Sequence, residues 1–188
     1  AETSIATDDL ILLSDTSASG ALRKMTRANF VSGVGGVNTP AFNARLSSGL
    51  TLANGTNTDV VFQTEFFDVG SCYNTSNGVF TVPSGEGGKY CISTNLYFLD
   101  GNGNVSDMLI YMHTTIGGSA TQNEVARAEA TSNGTLFTSR TLNYSTIISL
   151  SAGDAVKIQA YAETNNGSST SLRHGAHYTV FSAFKIIE

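Results

Sequence analysis

From Ala41 to the end of the chain, apolar and polar residues alternate in short runs separated by turn-forming clusters. Lys89–Leu99 shows the pattern most cleanly. Tyr90, Ile92, Leu96 and Phe98 fall on one side, and Lys89, Ser93 and Asn95 on the other. That two-residue period marks a strand with one buried and one wet face. The pattern predicts further strands over Ala41–Leu52, Asp59–Phe67, Gly78–Val82, Ser106–Ile116, Glu124–Ala130, Leu136–Leu150, Ala155–Ala162 and His177–Ile187. NGTN, SGEGG, DGNGN, SNG, SAGD and NNGSS lie between them, rich in the residues that tight turns require. No helical period interrupts the series. About eight to ten antiparallel strands in one domain-sized segment predict an all-β sandwich or jelly roll. No internal repeat points to a propeller or solenoid.

Three runs break the alternation. MLIYM (108–112), VVF with FF (60–62 and 66–67) and VFSAFKII (180–187) are apolar on both faces. Such strands are either covered on both sides within the protomer or meet another subunit. A homo-oligomer is expected, with Phe62, Tyr111 and Phe181 as candidate contacts between copies.

The N-terminal region reads differently. In DDLILLSDTSASGALRKMTRANF (8–30), Leu10–Leu13 is strand-like, Asp15–Gly20 is a turn cluster, and Ala21–Met25 returns as a second strand. Thr26 is placed to cap one helical turn through Phe30. A lone hairpin buries too little surface to stand alone, so it needs a docking partner or copies of itself. The Gly-rich SGVGGVNTP (32–40) then forms a hinge. The expected organisation is an arm over 1–36, a hinge over 37–40 and a head over 41–188.

Composition narrows the function. The chain has 188 residues, 40% hydrophobic and 13% charged, with 19 glycines and 2 prolines. This is enough apolar material for one sizeable core. The formal net charge of −5 gives no basic footprint for nucleic acid and no attraction to anionic membrane. The opening AETSIATDDLILLSD lacks a basic segment, and Leu10–Leu13 is too short for a signal or membrane helix, so the secretory pathway gains no support. Cys72 and Cys91 are spaced for either a bridge between neighbouring strands or two free thiols, with free thiols the expectation.

Candidate chemistry is thin. His174 and His177 flank Gly175-Ala176, but two loop histidines do not make a metal site, and His113 stands alone. DGNGNVSD (100–107) spaces Asp100, Asn102 and Asn104 like a calcium loop. Val105 and Tyr111 occupy the places where that loop needs Gly and Glu, so it reads as a hairpin loop. Gly33–Gly36 and Gly117-Gly118 lack the strand–helix setting and the Lys-Ser/Thr of a phosphate loop. Asp154 reads as a turn former, and no GxSxG elbow exposes a serine. No enzyme, cofactor or metal is expected.

Several motifs together resemble the C1q/TNF-like jelly roll. AFNARL (41–46) and VVFQTEFFDVG (60–70) lead into Tyr73-Asn74 and GVFTVP (78–83), similar to the family's Gly-x-Phe-x-x-Pro. GGKYCIS (87–93) stands where the family has Gly-x-Tyr-x-Phe. LSAGDAVKIQAY (150–161) resembles its Leu-x-x-Gly-Asp-x-Val strand, and YTVFSAFKI (178–186) its closing Phe-Ser-Gly-Phe. Ile92 replaces the usual Phe, and Ala183 the usual Gly. The resemblance implies a compact homotrimer.

Residues 8–30 resemble a short module of bacteriophage tail-fibre and other virion proteins, in which an aspartate-rich strand precedes a Leu-Lys-Lys-x-Thr strand. That likeness implies a virion-surface protein held by its arm through Asp9, Leu10, Leu12, Leu22, Arg23, Lys24 and Phe30. Capsid or tail proteins would be its partners. The leading expectation is a non-enzymatic, trimeric capsid decoration (cement) protein or short head fibre. The alternatives are a receptor-binding tail-fibre tip whose loops touch host surface glycans, and a cellular C1q-like lectin or adhesin.

Overall fold

The computed structural model describes residues 10–15, 19–26, 38–101, 104–130, 136–175 and 177–186. The chain divides into two compact units, with Asn38–Ile186 forming the larger one. The smaller unit contains an antiparallel hairpin of β1 (Leu10–Asp15) and β2 (Ala21–Thr26). Thr26 closes β2 and pairs with Leu10. The helical turn expected after it, Asp9, Phe30 and the hinge before Asn38 lie outside the described residues.

The larger unit holds thirteen strands: β3 (Ala41–Arg45), β4 (Leu50–Leu52), β5 (Thr58–Asp59), β6 (Thr64–Val69), β7 (Tyr73–Asn74), β8 (Val79–Thr81), β9 (Gly88–Leu99), β10 (Val105–Ile116), β11 (Ser119–Glu129), β12 (Ser139–Leu150), β13 (Ala155–Thr164), β14 (Thr170–Leu172) and β15 (Val180–Lys185). They form two sheets. One runs β11-β10-β13-β8-β7, with β5 also on β13. The other runs β4-β14-β9-β15-β3-β6, with β12 on the remaining edge of β9. Every pairing is antiparallel, so each strand shows one face to the partner sheet and one outward.

The core follows that alternation. Tyr90, Ile92, Leu96 and Phe98 of β9 point inward and meet Met108, Ile110 and Met112 of β10 and Val156 and Ile158 of β13, all buried. An aromatic cluster closes one end. Phe42 stacks on Tyr73 at 4.5 Å between centroids and meets Phe181 edge-on at 5.0 Å. Phe62 lies 5.5 Å from Phe181, and its backbone N–H donates to Tyr73 Oη at 3.0 Å. Phe62 and Phe181 have no accessible surface. They belong to the protomer's own core and offer a second copy nothing to touch, which corrects their reading as contacts between copies.

Side-chain carboxylates lock the turns. Asp154 is buried; its Oδ1 accepts the Gly117 N–H and its Oδ2 the Ser151 N–H, each at 2.8 Å. These two bonds hold the carboxyl below the ordinary aspartate value. Asp68 accepts the backbone N–H groups of Cys72 and Tyr73. Asp100 Oδ2 accepts the Asn104 N–H, a bond between the first and last residues of DGNGN. Gly78 adopts φ +74°, and a Cβ there would stand 2.9 Å from the Val60 carbonyl oxygen, so this turn excludes other residues.

The two cysteines are free and face opposite ways. Cys72 is buried, its thiol pushed up by burial and by the Asp68 carboxylate, whereas Cys91 lies on the outward side of β9.

Candidate assembly surface

The two outward faces of the sandwich differ in how their apolar residues are treated. On β10, Asp107, Leu109, Tyr111 and His113 point outward. Register sets Leu109 between Arg127 and Tyr161, and Tyr111 between Glu124 and Gln159. Asp107 receives Arg127 through Nε and Nη2 at 3.1 and 2.8 Å. Asp59 receives Lys157 at 2.8 Å and Gln159 at 2.6 Å, and Gln122 donates to Gln159 at 2.8 Å. Beneath this lattice Leu109 is buried and Tyr111 is half-buried. Long polar side chains therefore cover the apolar ones within the protomer.

Burial raises Asp59, but the Lys157 and Gln159 hydrogen bonds outweigh it and leave the carboxyl lowered. Asp107 goes the other way, because burial exceeds what Arg127 returns.

The face built on β9 has no such cover. Register aligns Ile147, Cys91, Phe184, Ala41 and Val69 in one row across β12, β9, β15, β3 and β6. The next row is Ser145, Ser93, Ser182, Asn43 and Phe67. Ile147, Phe184, Val69, Phe67 and the adjacent Phe66 are between 39% and 60% exposed, far more than side chains of this size normally show. The guanidinium of Arg45 lies 5.7 Å from the Phe66 ring centre. Within the face, Asn43 Oδ1 is buried without a hydrogen-bond partner among the described residues. Exposed phenylalanines beside an orphaned acceptor make this face the candidate for contact with another surface.

Sequence reasoning flagged VVF with FF and VFSAFKII as the sites of this surface but named their inward residues. The outward ones, Phe66, Phe67 and Phe184, carry it together with Ile147 and Val69. Tyr111 sits on the other, covered face.

In the smaller unit, the β1–β2 register puts Leu10, Leu12 and Leu22 on one face with Lys24, and all three leucines are more than half exposed. Arg23 is exposed on the opposite side.

Solved structures carry the same sandwich. The globular domain of zebrafish complement 1qA protein superposes over 80% of this chain and 99% of its own length, at a TM-score of 0.56 and 14% identity. Eiger TNF from S. frugiperda covers 79% of this chain and 91% of its own at 0.57 and 12% identity, and murine APRIL 78% and 98% at 0.55 and 14%. The larger unit is a C1q/TNF-like jelly roll. At such identities the likeness extends to the fold alone. No family model matches the sequence, and no curated protein matches it.

Proposed function

We infer that the protein is a non-enzymatic structural component of a bacteriophage virion: a homotrimeric capsid decoration protein or short head fibre, assembled through the β9 face and docked by its N-terminal unit. The observation that carries this reading is the hairpin with Leu10, Leu12 and Leu22 bared on one face. A two-stranded sheet exposing that much apolar surface is stable only against something else. The likeness of residues 8–30 to a virion module supplies the kind of partner. The jelly-roll resemblance and the uncovered β9 face favour a trimer. A ligand that binds only the assembled shell stabilises it by mass action, which is the physical basis of decoration.

The test is attachment to shells that lack the protein. Full-length protein is expected to bind and to label the whole head in immunogold images. The Leu10→Ser/Leu12→Ser/Leu22→Ser variant should remain a soluble trimer and lose attachment. Undiminished attachment of that variant would sink the reading, and label confined to the tail would transfer the protein to the adsorption apparatus.

A further inference from the structure

The larger unit carries a cationic aromatic platform at the end of the β9 sheet opposite Pro40. Pro40 O accepts the Lys185 N–H and Ile186 N–H bonds Lys89 O, so the chain enters beside the start of β9. Tyr97 lies eight residues further along that strand, roughly 25 Å away at strand rise. There the Arg173 N–H bonds Tyr97 O, and the Arg173 guanidinium lies 4.0 Å over the Tyr178 ring and 5.7 Å from Tyr97. The two rings meet edge-to-face at 5.3 Å. Gly175 at φ +124° comes so close that a Cβ would stand 3.1 Å from Tyr178 Cδ2, and Asn95 Nδ2 donates to Tyr178 O at 2.6 Å. The platform is held before any ligand arrives.

Its chemistry is unspent. A guanidinium held over a ring still has N–H donors to offer, in the fork geometry that fits a carboxylate. Among the described residues, none of the ion pairs engages Arg173, unlike Arg127, Lys157 and Lys185. His174 and His177 are exposed beside it, and the Arg173 guanidinium is a positive group on a chain of net charge −5. On β12, exposed Thr141 and Asn143 stand opposite Tyr97 and Asn95, adding hydroxyl and amide groups next to the aromatic edges. Aromatic surface, hydroxyl and amide donors, and a pre-positioned guanidinium are the complement of a sugar ring bearing a carboxylate.

We propose that Arg173, Tyr97 and Tyr178 form a binding site for an acidic saccharide, with Arg173 taking the carboxylate. The site is on the same outward side of β9 as Cys91 and Ile147 but six residues further along the strand, roughly 20 Å at strand rise, and it does not depend on capsid docking. Full-length protein is titrated calorimetrically with 3′-sialyllactose and with trigalacturonate; lactose and inorganic phosphate serve as the neutral and the free-anion arms. At least one acidic sugar is expected to bind, and lactose and phosphate are not. Arg173→Ala should weaken binding by about tenfold or more, the scale of a lost charged hydrogen-bond pair. Arg173→Lys should recover little, because an ammonium neither forks nor stacks as a guanidinium does. Both variants should keep the oligomeric mass of the parent. The proposal falls if neither acidic sugar binds, if lactose or phosphate binds equally, if Arg173→Lys restores full affinity, or if the variants dissociate into protomers. That last result would make Arg173 an interface residue.

Discussion

The two outward faces of the jelly roll are made from strands of the same kind and end in opposite states. Over β10 and β13, Arg127 stands beside Leu109 and pairs with Asp107, and Lys157 and Gln159 stand beside His113 and Tyr111 and pair with Asp59. Over β9 and β15 the outward residues between the apolar ones are serine and asparagine, too short to cover Phe184 or Ile147. The difference lies in the reach of the polar neighbours, since both faces carry apolar residues. One face is finished inside the protomer; the other is left bare.

The largest effect should come from what both faces share. Phe42→Ala removes a ring stacked on Tyr73 and packed on Phe181, and is expected to destabilise the unit by about 3–5 kcal/mol. Chemical denaturation would show it, and a loss under 1 kcal/mol would mean the aromatic cluster is not the core it looks like. Next comes the bare face. Ile147→Asp with Phe184→Asp should convert the proposed trimer to protomers in sedimentation experiments while leaving the protomer's circular dichroism intact. The same exchange at Tyr111 should leave oligomeric mass unchanged.

Acid separates the faces less sharply. Asp59 and Asp154 are held below the ordinary aspartate value of 3.8 when folded, so each adds stability above that pH and loses it as pH falls through its folded value. Asp107, raised by burial, opposes them: its contribution declines as pH rises from 3.8 through its folded value. The melting temperature should therefore drop below about pH 4, where the lowered pair gains protons. Asp154→Asn should flatten that drop, and an unchanged slope would show that the Gly117 and Ser151 bonds do not hold the charge. The smallest effect belongs to the lattice on the finished face. Lys157→Ala should lose less than about 1 kcal/mol, as exposed ion pairs do, and the loss should shrink in high salt.

The long strands were legible because alternation needs length to show. β9 and β13 follow their sequence pattern closely, and Tyr90, Ile92, Leu96 and Phe98 are where the period puts them. Shorter elements escaped. β7 and β14 are two and three residues long and set by pairing with β8 and β9, which no local pattern reveals. Ala41–Leu52 reads as one run but breaks at Ser47-Ser48 into β3 and β4. Alternation also says which residues share a side without saying which side is inside. Hence the sequence offers Phe181 as a contact between copies, although Phe184, three residues on, is the exposed one. The Arg173 platform had no sequence signal, because Tyr97 reaches it from a different strand.

The pairing of Pro40 with Lys185 places the start and finish of the larger unit side by side. A module whose ends meet can be lifted out of one chain and spliced into a surface loop of another without stretching the host. The same closeness permits the ends to be joined and the ring reopened at the exposed Asn166-Gly167 turn. Such a rewired sandwich would keep every strand neighbour while changing the order in which the strands are made.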